Sequence, residues 1–429
     1  MSVDAAICRI TFLMITSYFD EFRRFNRDIR MYFLAAGLLG FSYFGIVTVL
    51  LNLYLLRLGY DTKFIGLVNG STALAFATTS VGAGIVGTRW GYRRAVMLGL
   101  GLVGLSAALL PLGEMAAGMT RNTLIVVIRF MGGLGFAFYT VNSNPYLVAS
   151  ASLEERNAVF AMQVALPPFV GFFGSIVAGL LPALFAAGLG LTTDHPAPYR
   201  YPLIIAGIIM LPGVLAVMTT SDIPPIRRRR RVDGGPNPAP YAIITLLSLT
   251  ALLRMTGEGA ARSFFNVYLD DGLGISTANI GMLTAIGQIL AGPTALVAPA
   301  LMMRRDKTTL VVMATLGIAA SLVIMGLFPH WLAVGVGFMG VLGMLSVTRA
   351  VTNVVYMEIV PPDWRGSVSG ITSMAMGTGF SSMALGGGYM IPYIGYQGVF
   401  FIGAGMVTMS ALCFWLYFRT PRGEYAVVV

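Results

Sequence analysis

Twelve apolar runs dominate the sequence, and each is long enough to cross a lipid bilayer as a helix. A helix needs about 20 consecutive apolar residues to span the hydrocarbon core. Backbone polar groups cannot stay unpaired there, so such runs predict an all-α polytopic membrane protein. The predicted spans are 31–57, 63–88, 94–115, 122–150, 158–188, 201–219, 241–269, 276–303, 308–329, 331–360, 367–392 and 397–418.

Composition and charge agree with a membrane protein. Hydrophobic residues make up 56% of the chain and charged residues 11%, against about 25% charged residues in soluble proteins. The net charge of +10 would suggest nucleic-acid binding in a soluble protein, but here we expect it to fix orientation in the membrane. The two cysteines, Cys8 and Cys413, lie at opposite ends of the sequence. We therefore expect no disulfide framework, metal, cofactor or nucleic-acid partner.

A polar stretch at 220–240 separates two hydrophobic halves. Its arginine run, Arg227 to Arg231, cannot cross a bilayer cheaply, and the surrounding prolines and glycines interrupt a helix. Most of the 28 basic residues fall on the same side as this linker, which the positive-inside rule places in the cytoplasm of a bacterial inner membrane. The predicted parts are an interfacial segment at 1–30, six-helix bundles at 31–219 and 241–419, and a tail at 420–429, with both termini cytoplasmic.

The two halves repeat each other in sequence. Asn52 and Tyr54 of the first half match Asn266 and Tyr268 of the second, and Gly59 and Gly66 match Gly274 and Gly281 with the same separation of seven residues. The pair Asn144 and Arg156 likewise matches Asn353 and Arg365. One six-helix fold used twice is the arrangement in which transporters rock around a site near the middle of the bilayer.

Two motifs carry a resemblance to a known family. The loop between spans 2 and 3, which we call the signature loop, contains Gly84, Thr88, Arg89, Gly91, Arg93 and Arg94. Span 4 has an intramembrane arginine, Arg129, followed by the small residues Gly133, Gly135 and Ala137. With these motifs the chain resembles the major facilitator superfamily from about residue 31 to 419. The resemblance implies twelve helices in two pseudo-symmetric bundles, secondary transport by alternating access, and a gating role for the signature loop.

Two details of the resemblance bear on mechanism. The family usually carries aspartate where this chain has Thr88, so a charge-based latch at the signature loop would lack its acid. Restoring aspartate there should shift the protein toward an outward-open state. The resemblance also associates Arg129 with helix packing and proton coupling, and direct substrate contact is the lesser alternative.

Ionisable residues inside the spans are the main candidates for function. Arg254, Glu258 and Arg262 recur every fourth residue and so share one stripe of span 7. Ionised groups at membrane depth are costly and face a bundle interior or a wet cavity. In one interpretation Glu258 bridges its neighbours and the cluster fixes packing. In the other, an arginine of this stripe, or Arg349 of span 10, binds a carboxylate or phosphate of the substrate.

Other polar residues complete the predicted site. Glu258 is the best candidate for a proton carrier, and Arg349 is assigned either to the substrate or to an ion pair such as one with Glu258. Uncharged groups expected along the substrate pathway are Tyr43, Asn142, Gln288 and Asn353. Near the ends of spans, Asp270 and Asp271 are predicted to be solvated, and Glu358 to act as a gate or to pair with Arg365 or the linker arginines.

The sequence favours transport over catalysis. It has no phosphate-binding loop or zinc-binding spacing, and both histidines, His195 and His330, fall in predicted loops, so we do not predict an enzyme. The first hypothesis is a monomeric, proton-coupled secondary transporter of a small organic anion. The alternative is efflux of amphipathic drugs or lipids, with structural arginines and an aromatic pocket. A third class is a membrane sensor or scaffold on the same fold.

Overall fold

The computed structural model of the chain describes residues 25–152, 154–222, 241–361 and 364–419. Within these ranges the apolar runs form long helices and no strand. In chain order they are α1 (Arg27–Arg57), α2 (Thr62–Trp90), α3 (Tyr92–Met115), α4 (Gly118–Ser150), α5 (Arg156–Leu189), α6 (Ala197–Met218), α7 (Tyr241–Gly272), α8 (Thr277–Met302), α9 (Lys307–Leu327), α10 (Trp331–Ile359), α11 (365–394) and α12 (396–418).

The last two helices form one continuous helical stretch, Arg365–Phe418, that breaks at Gly395. Its 54 residues would be about 80 Å long as a straight helix, more than twice the hydrocarbon thickness of about 30 Å. Gly395 has a φ of +71°, a conformation that favours glycine. The break thus divides the stretch into two spans, and the predicted twelve-helix fold is confirmed.

Side-chain caps explain where several helices begin. Asp61 accepts a hydrogen bond from the Phe64 amide at 3.0 Å and starts α2. Asp306 accepts one from the Thr309 amide at 2.7 Å and starts α9. Such caps satisfy amides that have no partner inside the first helical turn. Asp306 lies outside the spans, and this hydrogen bond holds its pKa below the usual range.

The first helix contains a π-helical segment, Gly40–Val47. This segment packs tightly on α5, because a Cβ on Gly40 would lie 2.5 Å from the Pro167 carbonyl oxygen and one on Gly45 would lie 2.6 Å from the Cα of Gly174. Only residues without a side chain allow this approach. Because π-helical segments recur at functional sites, Tyr43 and Phe44 of this segment are candidates for a functional role.

The hydrophobic core shows how the two halves meet. We call the end of the bundle where α6 ends and α7 begins the linker end, and the opposite end the far end. One cluster joins residues of both halves, including Tyr54 and Phe264. Toward the linker end the core divides into two clusters, one around Tyr32 in the first half and one around Phe414 in the second. The hydrophobic core is therefore shared by the halves at the far end and divided between them toward the linker end.

Two matching helix crossings close the far end. On one side α2 meets α11, where a Cβ on Gly66 would lie 2.4 Å from the Ala384 carbonyl oxygen. On the other side α8 meets α5, where a Cβ on Gly281 would lie 2.6 Å from the Ser175 carbonyl oxygen. Gly66 and Gly281 occupy matching positions in the sequence repeat. The closure is thus pseudo-symmetric and depends on backbone contact between small residues.

Reciprocal hydrogen bonds join α1 to α7 between these crossings. Asn52 Nδ2 donates to the Ser263 carbonyl oxygen at 2.9 Å, and Asn266 Nδ2 donates to the Thr48 carbonyl oxygen at 2.8 Å. The two asparagines match in the repeat. Each helix thus contributes the same side chain to the other's backbone, and α1 and α7 are related by the pseudo-twofold axis of the bundle.

The predicted solvation is wrong for Asp270, whereas Asp271 is exposed as predicted. The Asp270 side chain is 8% exposed and accepts two hydrogen bonds of 2.7 Å from Arg57 of the first half. Asp271 accepts one from the Tyr396 hydroxyl at 2.8 Å. The Asp270 carboxylate is thus held inside the packed far end, on the π-helical turn Tyr268–Gly272 that ends α7. Near the linker end, Glu358 pairs with Lys307, and not with Arg365. The linker arginines lie outside the described residues, so pairing with them and a gating role stay predictions.

Candidate functional site

A buried carboxylate shared by two arginines lies midway along α7. Glu258 Oε1 accepts a hydrogen bond from Arg262 Nε at 2.7 Å, and Oε2 accepts one from Arg349 Nη2 of α10 at 2.9 Å. The Glu258 side chain is only 6% exposed, whereas that of Arg349 is 52% exposed. The structure therefore brings together three of the four predicted charged residues, with the carboxylate beneath an accessible guanidinium.

Arg254 lies one turn closer to the linker end and is almost fully buried. Tyr356 and Glu258 are among the groups that interact with its guanidinium, but its Nε has no hydrogen-bond partner within the described residues. Both oxygens of Glu258 are already bonded to Arg262 and Arg349. Among the residues described, three arginines thus gather around one carboxylate, and the local charge is positive.

The exposed side chains of α10 show where this cluster faces. Leu332 and Val336 are exposed near the far end, and Arg349 and Asn353 nearer the linker end. At about 100° per residue, the step from Val336 to Arg349 turns the exposed direction by roughly 220°. The apolar pair suits contact with lipid, whereas the polar pair needs a wet cavity. Arg349 and Asn353 therefore line the space between the separated halves, which we call the open space.

The first half presents a matching stripe on α4. Thr140 and Asn144 are exposed one turn apart, as Arg349 and Asn353 are on α10. The repeat that matches Asn144 with Asn353 also matches Thr140 with Arg349. The two stripes therefore line opposite sides of the open space. Sequence reasoning missed Thr140, although the repeat spacing combined with Arg349 would have indicated it.

Four aromatic rings form a second surface in the first half, which we call the aromatic wall. Its members are Tyr43, Phe44, Phe76 and Phe136. The rings of Tyr43 and Phe136 stack with centroids 5.2 Å apart, and those of Phe44 and Phe76 lie 6.1 and 5.8 Å from Phe136. All four side chains are half-buried. Phe136 is one turn before Thr140 on the same face of α4, so the aromatic wall adjoins the polar stripe.

Arg129 lies behind the aromatic wall. It is 4% exposed, and Tyr43 is among the groups that interact with its guanidinium. Its Nε lacks a hydrogen-bond partner in the described part of the chain. Its backbone oxygen accepts a 3.3 Å hydrogen bond from Thr72 of α2. These contacts suit the predicted packing role, and its part in proton coupling stays a prediction.

Two predicted pathway residues are enclosed by helix contacts in this conformation. Asn142 Nδ2 donates to the Ala83 carbonyl oxygen at 3.1 Å, and its side chain fits against Gly87 between α2 and α4. Gln288 Nε2 donates to the Phe44 carbonyl oxygen and to Ser175 Oγ, each at 2.8 Å, and so ties α8 to the first half. Their contact with substrate stays a prediction, whereas Tyr43 and Asn353 are accessible.

The signature loop has an acidic partner at a different position from the one the family pattern suggests. Thr88 is exposed and its hydroxyl donates to the Ile85 carbonyl oxygen at 2.8 Å. The carboxylate near the loop is Asp222, just after α6, which lies 3.2 Å from Arg94 and 3.7 Å from Arg93. The remaining loop residues fall at the α2–α3 junction: Gly84 on the α2 face beside Val141, Arg89 exposed, and Gly91 with a φ of +99° that favours glycine.

Comparisons with known proteins identify the fold and the family. A search of curated proteins finds no match. Solved structures that are similar include the xylose transporter XylE from E. coli in an inward-open conformation, with a TM-score of 0.70, 16% identity and coverage of 93% of this chain and 98% of that one. A mutant of the nucleoside transporter NupG has a TM-score of 0.70 and 16% identity, with coverage of 92% of this chain and 100% of that one.

A third similar structure is a bacterial homologue of the human lysosomal transporter Spinster in an inward-facing, occupied conformation, with a TM-score of 0.68, 17% identity and coverage of 91% and 96%. At these identities the structures establish the fold alone. The family model described as Major Facilitator Superfamily matches residues 32–246 and again 247–428. With matches over nearly its whole length and a twelve-helix fold, the chain belongs to the Major Facilitator Superfamily of secondary transporters.

Proposed function

We propose that this protein is a proton-coupled transporter of a small organic anion, which binds in the open space between the halves. The observation that carries the proposal is the Glu258 carboxylate shared by Arg262 and Arg349. Arginine's planar fork suits a carboxylate or phosphate, and Arg349 is the exposed member of the cluster. The positive charge left around one carboxylate favours an anion over a neutral or cationic substrate.

Exchange of partners at Arg349 supplies a route to coupling. An anion that binds Arg349 competes with Glu258 for the same guanidinium, and Glu258 then keeps Arg262 as its bonded cation. A carboxylate that loses a cationic partner in a buried place binds a proton more readily. Anion and proton would thus enter together and leave together, with Glu258 as the proton carrier and Arg349 as the group that links the two events.

The same geometry supports an orientation for the transport cycle. The positive-inside rule puts the linker end in the cytoplasm, so the conformation described here opens inward. Two of the similar structures are also inward-open or inward-facing by their titles. We propose a monomer in the plasma membrane with cytoplasmic termini. Alternating access would then require the Gly66 and Gly281 crossings to separate as the linker end closes.

Transport in proteoliposomes tests the proposal. A thermal-shift screen of metabolites at acidic and neutral pH first finds a stabilising anion, and its uptake is then followed with and without a proton gradient. Glu258→Gln should abolish gradient-driven accumulation while counterflow continues. Arg349→Gln should weaken anion binding, and Val336→Ala, on the lipid-facing side of α10, serves as the control. Unchanged accumulation by Glu258→Gln would exclude it as the coupling residue.

Efflux of amphipathic drugs or lipids is the second candidate function. The half-buried aromatic wall favours it. In this case the arginines would be structural, and stabilising ligands would be amphipathic cations or lipids that bind equally well to Arg349→Gln. Deletion would then cause drug sensitivity rather than a growth defect on an organic anion.

A further inference from the structure

The two sides of the open space carry different chemistry at the same depth. Phe44 precedes Asn52 by the same number of residues as Glu258 precedes Asn266. The reciprocal hydrogen bonds of these asparagines show that α1 and α7 are related by the pseudo-twofold axis. Phe44, in the π-helical segment of α1, and Glu258 on α7 therefore lie at similar depth, about two helical turns from these asparagines. An aromatic surface thus faces the arginine-bridged carboxylate across the axis.

Packing within the first half covers only part of the aromatic wall. Tyr43 and Phe136 pack against the first-half core, but unlike Tyr32, Tyr54, Tyr146 and Tyr199 they are not buried completely. The four rings of the wall stay half-buried although they converge from α1, α2 and α4. Rings that converge from three helices point into the bundle rather than into lipid. Their exposed faces are therefore available to a molecule in the open space.

We infer that the substrate is a two-sided organic anion, with a carboxylate or phosphate bound at Arg349 and a flat aromatic body stacked on the Tyr43–Phe136 surface. This rests on the proposed function and names the substrate class. A small polar anion would use the arginine alone and leave the rings wet, whereas a neutral aromatic compound would use the rings alone. Aromatic pairs contribute beyond the area they bury, in offset or edge-on geometry.

Binding of matched probes to the purified full-length protein tests the inference. Phenylacetate, acetate and phenylacetamide separate the ring from the charge, and phenyl phosphate and inorganic phosphate repeat the comparison for the other anion. We expect the aromatic acid to bind about tenfold more tightly than its aliphatic counterpart, since stacking and burial of one ring amount to about 1.4 kcal/mol or more. Phenylacetamide should bind more weakly than phenylacetate.

Substitutions then locate the effect. Phe136→Leu should remove most of the advantage of phenylacetate and leave acetate binding unchanged, whereas Arg349→Gln should weaken both acids. Phe76→Leu, at the edge of the aromatic wall, gives a smaller loss and replaces Phe136→Leu if that protein does not fold. Phe173→Leu is the control, because Phe173 is an exposed ring on α5 that contacts other phenylalanines.

Each outcome separates the inference from the function on which it rests. If both acids bind better than the amide but equally well to each other, the inference fails and the anion transporter stands. If the amide binds as well as the acid, the proposed function fails. If the preference for aromatic acids survives both Phe136→Leu and Phe76→Leu, the aromatic wall is not the site that binds the ring. A protein that binds none of the probes also overturns the inference.

Discussion

Alanine at Gly66 and Gly281 is expected to force the far end open. A Cβ at these positions would lie 2.4 and 2.6 Å from backbone carbonyl oxygens of the facing helices, whereas non-bonded carbon atoms prefer about 3.5–4.0 Å. Backbone atoms cannot rotate away as the end of a side chain can. The α2–α11 and α5–α8 crossings must therefore each widen by roughly 1 Å in the closed state.

The size of the expected population shift follows from the cost of the two strained contacts. Overpacking a tight contact costs about 1–3 kcal/mol, and this cost falls only on the conformation in which the helices touch. The two crossings lie on opposite sides of the pseudo-twofold axis and share no described contact partner, so their costs should add. The double substitution then disfavours the closed far end by about 2 kcal/mol or more, which is more than a tenfold shift in population.

Distances between spin labels measure this shift directly. Met119→Cys and Tyr393→Cys place labels on highly exposed far-end residues of different halves, in a protein whose Cys8 and Cys413 are replaced by serine. The distance distribution should move to longer values in the double glycine variant. Gly82→Ala and Gly292→Ala are matched controls, since a Cβ there meets no described atom within 4 Å. An unchanged distribution in a folded double variant would refute the argument that these contacts hold the far end closed.

Three further predictions concern ion pairs and caps. Asp270→Asn should also lengthen far-end distances by weakening the bidentate pair with Arg57, and exchanging the two charges should restore them. Asp222→Asn should change the transport rate in proteoliposomes but not substrate affinity, because it releases only the signature-loop arginines. The cap at Asp306 has a pKa below its usual 3.8, so its stabilisation is full above about pH 4 and is lost as pH falls through the lower folded value. Asp306→Ala should lower stability at neutral pH by up to about 1 kcal/mol. The melting temperature of this variant should then fall less on acidification than that of the unaltered protein. Asp306→Asn should keep the cap at every pH.

Local pattern was enough to predict the helices. An apolar run bounded by charges or glycines has few alternatives in a bilayer, because the backbone must satisfy its hydrogen bonds internally. The predicted span 63–88 became Thr62–Trp90 and the predicted 308–329 became Lys307–Leu327. Differences of a few residues come from caps such as Asp61 and Asp306, whose effect depends on side-chain geometry rather than on hydropathy.

The partners of charged residues could not be predicted in the same way. The spacing of Arg254, Glu258 and Arg262 gave their common helix, but Glu258 takes its second partner from α10, 91 residues away in sequence. Asp270 likewise meets Arg57 across a separation of 213 residues. Helical periodicity fixes the direction of a side chain and says nothing about which helix lies opposite. The sequence therefore predicted the charged stripe, but it gave Arg349 only as one possible partner of Glu258.

The repeat offers a physical criterion for separating scaffold from specificity. Where both halves keep the same residue, as at Asn52 and Asn266, the side chains make reciprocal contacts that hold the halves together. Where the halves differ along the open space, the pseudo-symmetry of the fold does not require the difference. Thr140 on α4, where α10 has Arg349, is a difference of this kind, and Phe44 on α1, at the depth of Glu258 on α7, is another. The two-sided ligand proposed above would account for this asymmetry, whereas stability alone does not require it.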